Sequence, residues 1–110
     1  MTVEDALQIE VVLPARITTS RPFLLPVVVI NTTEFPIDEN LSGTIRIGAG
    51  LTFRPLQNEE IHFGRLDPRQ KVVLTWILLG KKEGRHLLSV QIRTANKVVA
   101  TKAMRLEVSP

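Results

Sequence analysis

The chain has no cysteine, no tyrosine and a single tryptophan, and aromatics make up only 5% of its 110 residues. Without cysteine there is neither a disulfide framework nor a thiolate metal centre, so burial alone must hold the fold. With so few rings, the core must be aliphatic. Long apolar runs are missing too: Phe23 to Ile30 is the longest and contains Pro26, whereas a membrane helix needs about 20 apolar residues. That run reads as a strand. The opening stretch Met1 to Ala6 carries Glu4 and Asp5 where an export signal needs basic residues ahead of an apolar segment, which predicts no such signal there. The lack of cysteine fits the cytoplasm and an exported prokaryotic domain equally.

What is present is 44% hydrophobic and 23% charged residues, too apolar for disorder and enough for one small domain spanning 1–110. The net charge of +3 hides an imbalance: residues 1–60 hold eight acids and four bases, residues 61–110 three acids and ten bases. The bases are scattered, with no run beyond two. In a sandwich, the loop bearing Lys81, Lys82 and Arg85 would lie opposite the turn bearing Arg93 and Lys97, which splits any single patch. No specific nucleic-acid signal results. Lys81, Lys82 and Arg85 remain the candidate basic surface contacts.

Apolar and polar residues alternate with period 2 almost throughout. Leu7, Ile9, Val11 and Leu13 mark the buried side of a first strand that Pro14 ends. Phe23 to Ile30 follows, apolar on both faces, with Pro26 predicting an edge position, a bulge or a later start because it cannot donate to a ladder. Asn31 to Pro36 is turn chemistry. Further strands are expected over Leu41–Ile47, Leu51–Arg54, Glu59–Phe63, Lys71–Leu79, a segment around Leu88–Ile92, and Val98–Val108. Turns fall at Gly48-Ala49-Gly50, Gly64 to Pro68, Gly80 to Gly84 and Thr94 to Lys97. In the last strand Lys102 breaks the alternation, which a bulge near Ala100 to Ala103 would repair. Seven or eight short antiparallel strands describe an all-β, immunoglobulin-like or fibronectin type III-like sandwich. A small barrel is the alternative.

Reaction chemistry is absent from the pattern. His62 and His86 stand in strand-like segments without a nucleophile motif and lack the companions that zinc needs. Glu59 and Glu60 would point to opposite faces, and Asp38-Glu39 falls in an expected turn. Gly48-Ala49-Gly50 lacks the lysine and following helix of a phosphate loop. Trp76, within an apolar strand, is expected in the core. Two glycosylation sequons, at Asn31 and Asn40, matter only in a secretory host. No catalytic residue, cofactor or metal is expected.

Three segments resemble the prokaryotic immunoglobulin-like domains of the CARDB type (cell-adhesion-related domain in bacteria). They are Val27-Val28-Val29-Ile30-Asn31-Thr32, Gly64-Arg65-Leu66-Asp67-Pro68 before the strand with Trp76, and Gly84-Arg85-His86-Leu87-Leu88-Ser89-Val90. The chain departs from that pattern at Arg69, where a turn glycine is usual, and at His86, where an aromatic is usual. The resemblance implies a non-catalytic interaction or spacer module of a cell-surface or envelope protein, with a protein or surface glycan as partner, either a monomer or one unit of a longer chain. Outside such an exported chain, the cytoplasm is expected. The chain is also similar to the intracellular proteinase inhibitor type of sandwich. A carbohydrate-binding accessory domain and a proteinase-inhibitor-like binding protein are the alternative functions.

Overall fold

Alternating side chains lay the chain out as strands whose apolar faces meet. The computed structural model describes residues 6–53 and 59–110. Its strands are β1 (Leu7–Val11), β2 (Pro22–Asn31), β3 (Ile37–Ile47), β4 (Leu51–Phe53), β5 (Glu60–Leu66), β6 (Lys71–Gly80), β7 (Gly84–Arg93) and β8 (Val98–Val108). Sheet one has the order β1-β2-β6-β4 and sheet two β5-β3-β7-β8, with every strand pairing antiparallel. This is an immunoglobulin-like sandwich. Among the described residues no helix is long and apolar enough to cross a membrane.

The core lies where the two sheets face each other. Leu25, Val27 and Val29 of β2 and Leu74, Trp76 and Leu78 of β6 meet Ile45 of β3 and Leu88, Val90 and Ile92 of β7. Each such side chain contributes about 1.5–3 kcal/mol on burial. Trp76 is fully buried, as expected, and its indole N–H donates to the Glu59 carbonyl at 3.2 Å. Gly43 leaves room for Leu74, whose methyl a Cβ there would run into, and lies at ordinary contact distance from the Trp76 ring.

Several boundaries differ from those read in the sequence, and each has a local cause. Leu13, expected on the buried side of β1, is exposed because the strand ends at Val11 and the chain leaves the sheet. Asp38 and Glu39 belong to an irregular stretch of β3, not a turn. Gly64, Arg65 and Leu66 end β5, and the turn falls after them. Between Leu41–Gly64 and Ser42–His62 the pairing slips, so Phe63 is the additional residue beside Gly64 at φ 74°. That bulge reverses the alternation and turns Leu66 into the core. In β8 the bulge is not at Ala100 to Ala103: Ile92 faces Ala100 while Arg93 faces Val98, leaving Val99 additional. Lys102 therefore keeps its inward parity, opposite the buried Val90, yet is exposed on the free edge of sheet two. An inward-pointing lysine on an edge strand discourages pairing with another chain. Arg54, expected to end the fourth strand, and the opening residues 1–5 lie outside the described residues.

Pro26 sits in a central strand, between β1 and β6, and not at the sheet's edge. Its carbonyl accepts from the Val12 N–H at 3.0 Å, so the side of the residue that lacks an N–H faces β1. The missing donor thus falls just where β1 ends and no ladder continues, which makes this stretch of β2 a local edge. Past β1 the chain crosses to sheet two. There Thr18 bridges Ser109 in parallel, with Thr19 N–H donating to the Ser109 carbonyl at 2.9 Å and Ser109 N–H to the Ile17 carbonyl at 2.8 Å.

At the opposite end, Asn31 is wholly buried. Its side-chain N–H groups donate to the carbonyls of Phe35 (2.8 Å) and Asp67 (3.0 Å), and its Oδ1 accepts from the Thr33 N–H (3.0 Å) and hydroxyl (2.8 Å). One amide thus fastens the β2–β3 turn to the β5–β6 turn. The sequon at Asn31 is closed to modification in the folded chain, since its nitrogen is spent in these bonds. Beside it, Arg69 adopts φ 62°, the left-handed backbone that explains why a glycine suits this position in the resembled pattern.

Candidate functional site

The basic residues read from the sequence stand at one end of the sandwich, and all three are exposed: Lys81 and Lys82 in the β6–β7 turn, Arg85 near the start of β7. The backbone fixes this turn, because Lys81 N–H donates to the Gly50 carbonyl at 2.8 Å. His86, half-buried in the place of the usual aromatic, plugs the space against Gly50 and donates from Nε2 to the Lys82 carbonyl at 2.7 Å. Acids stand among the bases, however. Glu83 lies in the same turn, and Glu107 is the cross-strand neighbour of Arg85. Arg93 and Lys97 lie at the far end of β7, so the two basic groups do not merge. The turn is a mixed-charge surface whose field is partly cancelled.

Elsewhere the sequence candidates stay apart. His62 is exposed on β5 and pairs with Glu60 at 2.7 Å. Among the described residues, no three of His, Cys, Asp and Glu group as metal ligands. On sheet two, the outer face is mostly polar, as expected of a solvated sheet, with Thr44, Arg46, Gln91, Arg93, Arg105 and Glu107 on it and Leu87, 61% exposed, standing singly among them.

Sheet one breaks that rule. Its outward positions on β2 are Pro22, Leu24, Pro26, Val28 and Ile30; beside them on β6, in register, lie Leu79, Ile77, Thr75, Val73 and Lys71. From β1 come Val12, beyond the last ladder pair, and then Glu10 and Gln8, opposite Pro26, Val28 and Ile30. The result is an aliphatic stripe along two neighbouring strands, with Leu24 58%, Val73 60% and Val12 54% exposed. At one end it is rimmed by Glu10 on β1 and Lys71 on β6. Glu10 accepts a hydrogen bond from Gln8 at 2.9 Å, and neither Glu10 nor Lys71 forms an ion pair among the described residues. Contiguous exposed apolar surface of this kind marks interaction sites. The sequence carried half of this signal, in the two-sided apolar run of β2; the other half needed the pairing of β2 with β6.

No family model matches the sequence, and no curated protein matches it. Among solved structures, the chain is similar to a CARDB domain of Pyrococcus furiosus at TM-score 0.70 and 16% identity, covering 94% of each chain. A crystal structure of that CARDB domain in complex with di-metal ions gives TM-score 0.71 at 17% identity, over 93% of this chain and 86% of that one. Salmonella alpha-2-macroglobulin contains a similar unit, with TM-score 0.74 and 16% identity over 96% of this chain but only 7% of that one. Strand order, core and these superpositions agree: the chain has the immunoglobulin-like sandwich fold of the CARDB domains.

Proposed function

We propose that the chain is a non-catalytic interaction module of a cell-surface or envelope protein, and that it engages a protein partner through the outer face of sheet one. The observation that carries this reading is the contiguous aliphatic stripe of β2 and β6, in a molecule whose other sheet is mostly polar outside, with Leu87 and Val98 exposed there singly. Such a face suits an apolar protein surface with a base to meet Glu10 and an acid to meet Lys71. A glycan is less well served, since sugar sites stack rings on exposed aromatics, whereas Trp76 is buried and Phe35, in the β2–β3 turn, is the large aromatic that stands exposed. The occurrence of similar units within long chains such as alpha-2-macroglobulin supports the modular role.

The test is capture from envelope fractions of the source organism by the immobilised chain, at low and moderate salt, against two variants that keep the fold. Leu24→Ser with Val73→Ser should abolish capture. Lys82→Ala with Arg85→Ala should leave it intact, and salt should not reverse it. Capture that follows the lysine and arginine and vanishes with salt overturns the reading in favour of an anionic polymer.

A further inference from the structure

Resting on that reading, we propose that the occupant of the sheet-one face is a second copy of this chain, packed face to face about a two-fold axis that runs along β2. Two observations select this partner. The first is the arrangement of charge. An axis along β2 lays β1 of one copy over β6 of the other at the same level of the sheet, so Gln8 faces the second Lys71 and Glu10 lies one step from it. Glu10 thus stands over Val73 of the second copy, and the two rim charges, unpaired within the described residues of one chain, reach each other diagonally across one level, twice by symmetry. Between them β2 packs on β2, with Leu24, Pro26 and Val28 meeting their own counterparts, an isologous contact. Aligned sheets stack in this way about 10 Å apart.

The second observation is that the other routes to self-association are blunted. Among the described residues the outermost strands of the two sheets are β1, β4, β5 and β8, and the stretch of β2 beyond the end of β1 is a further edge that Pro22 and Pro26 guard. β1 and β4 have five and three residues, β5 is bent by its bulge at Gly64, and β8 carries Lys102 on its inward parity. These are the devices by which sheets avoid edge pairing. The face has no such guard.

The face, the stripe together with its flank on β1, runs nine residues along β2, about 30 Å, and spans three strands, about 10–15 Å. Its projected area is roughly 300–450 Å² per copy, below the about 800 Å² per partner of stable complexes, so the dimer is weak and concentration-dependent. Sedimentation velocity from about 10 μM to 1 mM should show reversible dimerisation. Leu24→Ser with Val73→Ser, folded by circular dichroism, should be monomeric throughout. Glu10→Lys alone and Lys71→Glu alone should each weaken the dimer about tenfold, since each reversal turns two attractions into two repulsions. The double reversal, Glu10→Lys with Lys71→Glu, should return it to within about threefold of the native constant.

A native chain that stays monomeric at 1 mM overturns the dimer. So does a dimer that survives the double serine variant, or one that the paired reversal fails to restore. If the native chain is monomeric but envelope capture still depends on Leu24 and Val73, only the second copy is refuted, and the face belongs to another protein.

Discussion

Replacing Asn31 tests whether one buried amide ties the two turns together. Four bonds of good length, between 2.8 and 3.0 Å, converge on its side chain; the contact to the Leu66 carbonyl at 3.5 Å is too long to count. Each is worth about 1 kcal/mol net, and water can recover part of the loss at the half-buried carbonyls. Asn31→Ala should therefore cost about 3–4 kcal/mol, a large share of the about 5–15 kcal/mol that stabilises a domain. Denaturant titration followed by the fluorescence of Trp76 measures it. Asn31→Asp is the sharper probe, because it keeps the size and sets a carboxylate against the Phe35 and Asp67 carbonyls. Burial beside those oxygens disfavours the charged form, so the introduced acid titrates higher folded than unfolded. Its protonated form, which can donate to one carbonyl, is available at low pH. The variant's stability relative to the native chain should fall as pH rises from about 4 towards neutrality, by at most about 1.4 kcal/mol per pH unit. A cost below about 1 kcal/mol for Asn31→Ala, or a pH-independent deficit for Asn31→Asp, refutes the clamp.

Trp76→Ala should destabilise the fold by about 3–5 kcal/mol through the cavity it opens; circular dichroism replaces the lost fluorescence as the readout, and a change under about 1 kcal/mol would deny the ring its place in the core. Arg69→Gly removes the left-handed strain of about 1 kcal/mol and also the exposed ion pair with Glu34, 2.7 Å long, worth at most a similar amount. The variant should thus be near neutral at low salt and stabilised at high salt, where the pair is screened; equal effects at both would show that the pair contributes nothing.

Most strands were legible because their side chains alternate, and Lys71 to Leu79 needed nothing else. Alternation misleads where a single residue shifts the phase. Phe63 and Val99 are such residues, and their bulges depend on the partner strand, which no local pattern reveals. Pro26 looked like a sign of an edge because the sequence does not tell where β1 stops. Asn31 was legible as turn chemistry, yet the carbonyl of Asp67 that it holds is 36 residues away. The stripe on sheet one has the same limit: the run of β2 reads as apolar on both faces, but that Leu24 and Val28 face outward, joined by Val73 and Ile77, follows only once β2 and β6 pair. The basic turn showed the reverse, a cluster in the sequence that its spatial neighbour Glu107 dilutes.

The crossing of the chain after β1 has a mechanical consequence. Ala6 lies at the Asn31 end of the sandwich, where its carbonyl accepts from Thr32, while Ser109 lies at the Gly80 end, 46 Å being the longest extent of the molecule. Tension applied between these two points runs along the strands. It asks β1 to slide past β2, β8 past β7, and Ser109 past Ile17 and Thr19, so the hydrogen bonds are loaded side by side in shear and break together. A hairpin pulled from its open end yields one bond at a time. Built this way, the sandwich resists stretching along its length far better than its modest core suggests, and forced unfolding is set by the rate at which that ladder gives way.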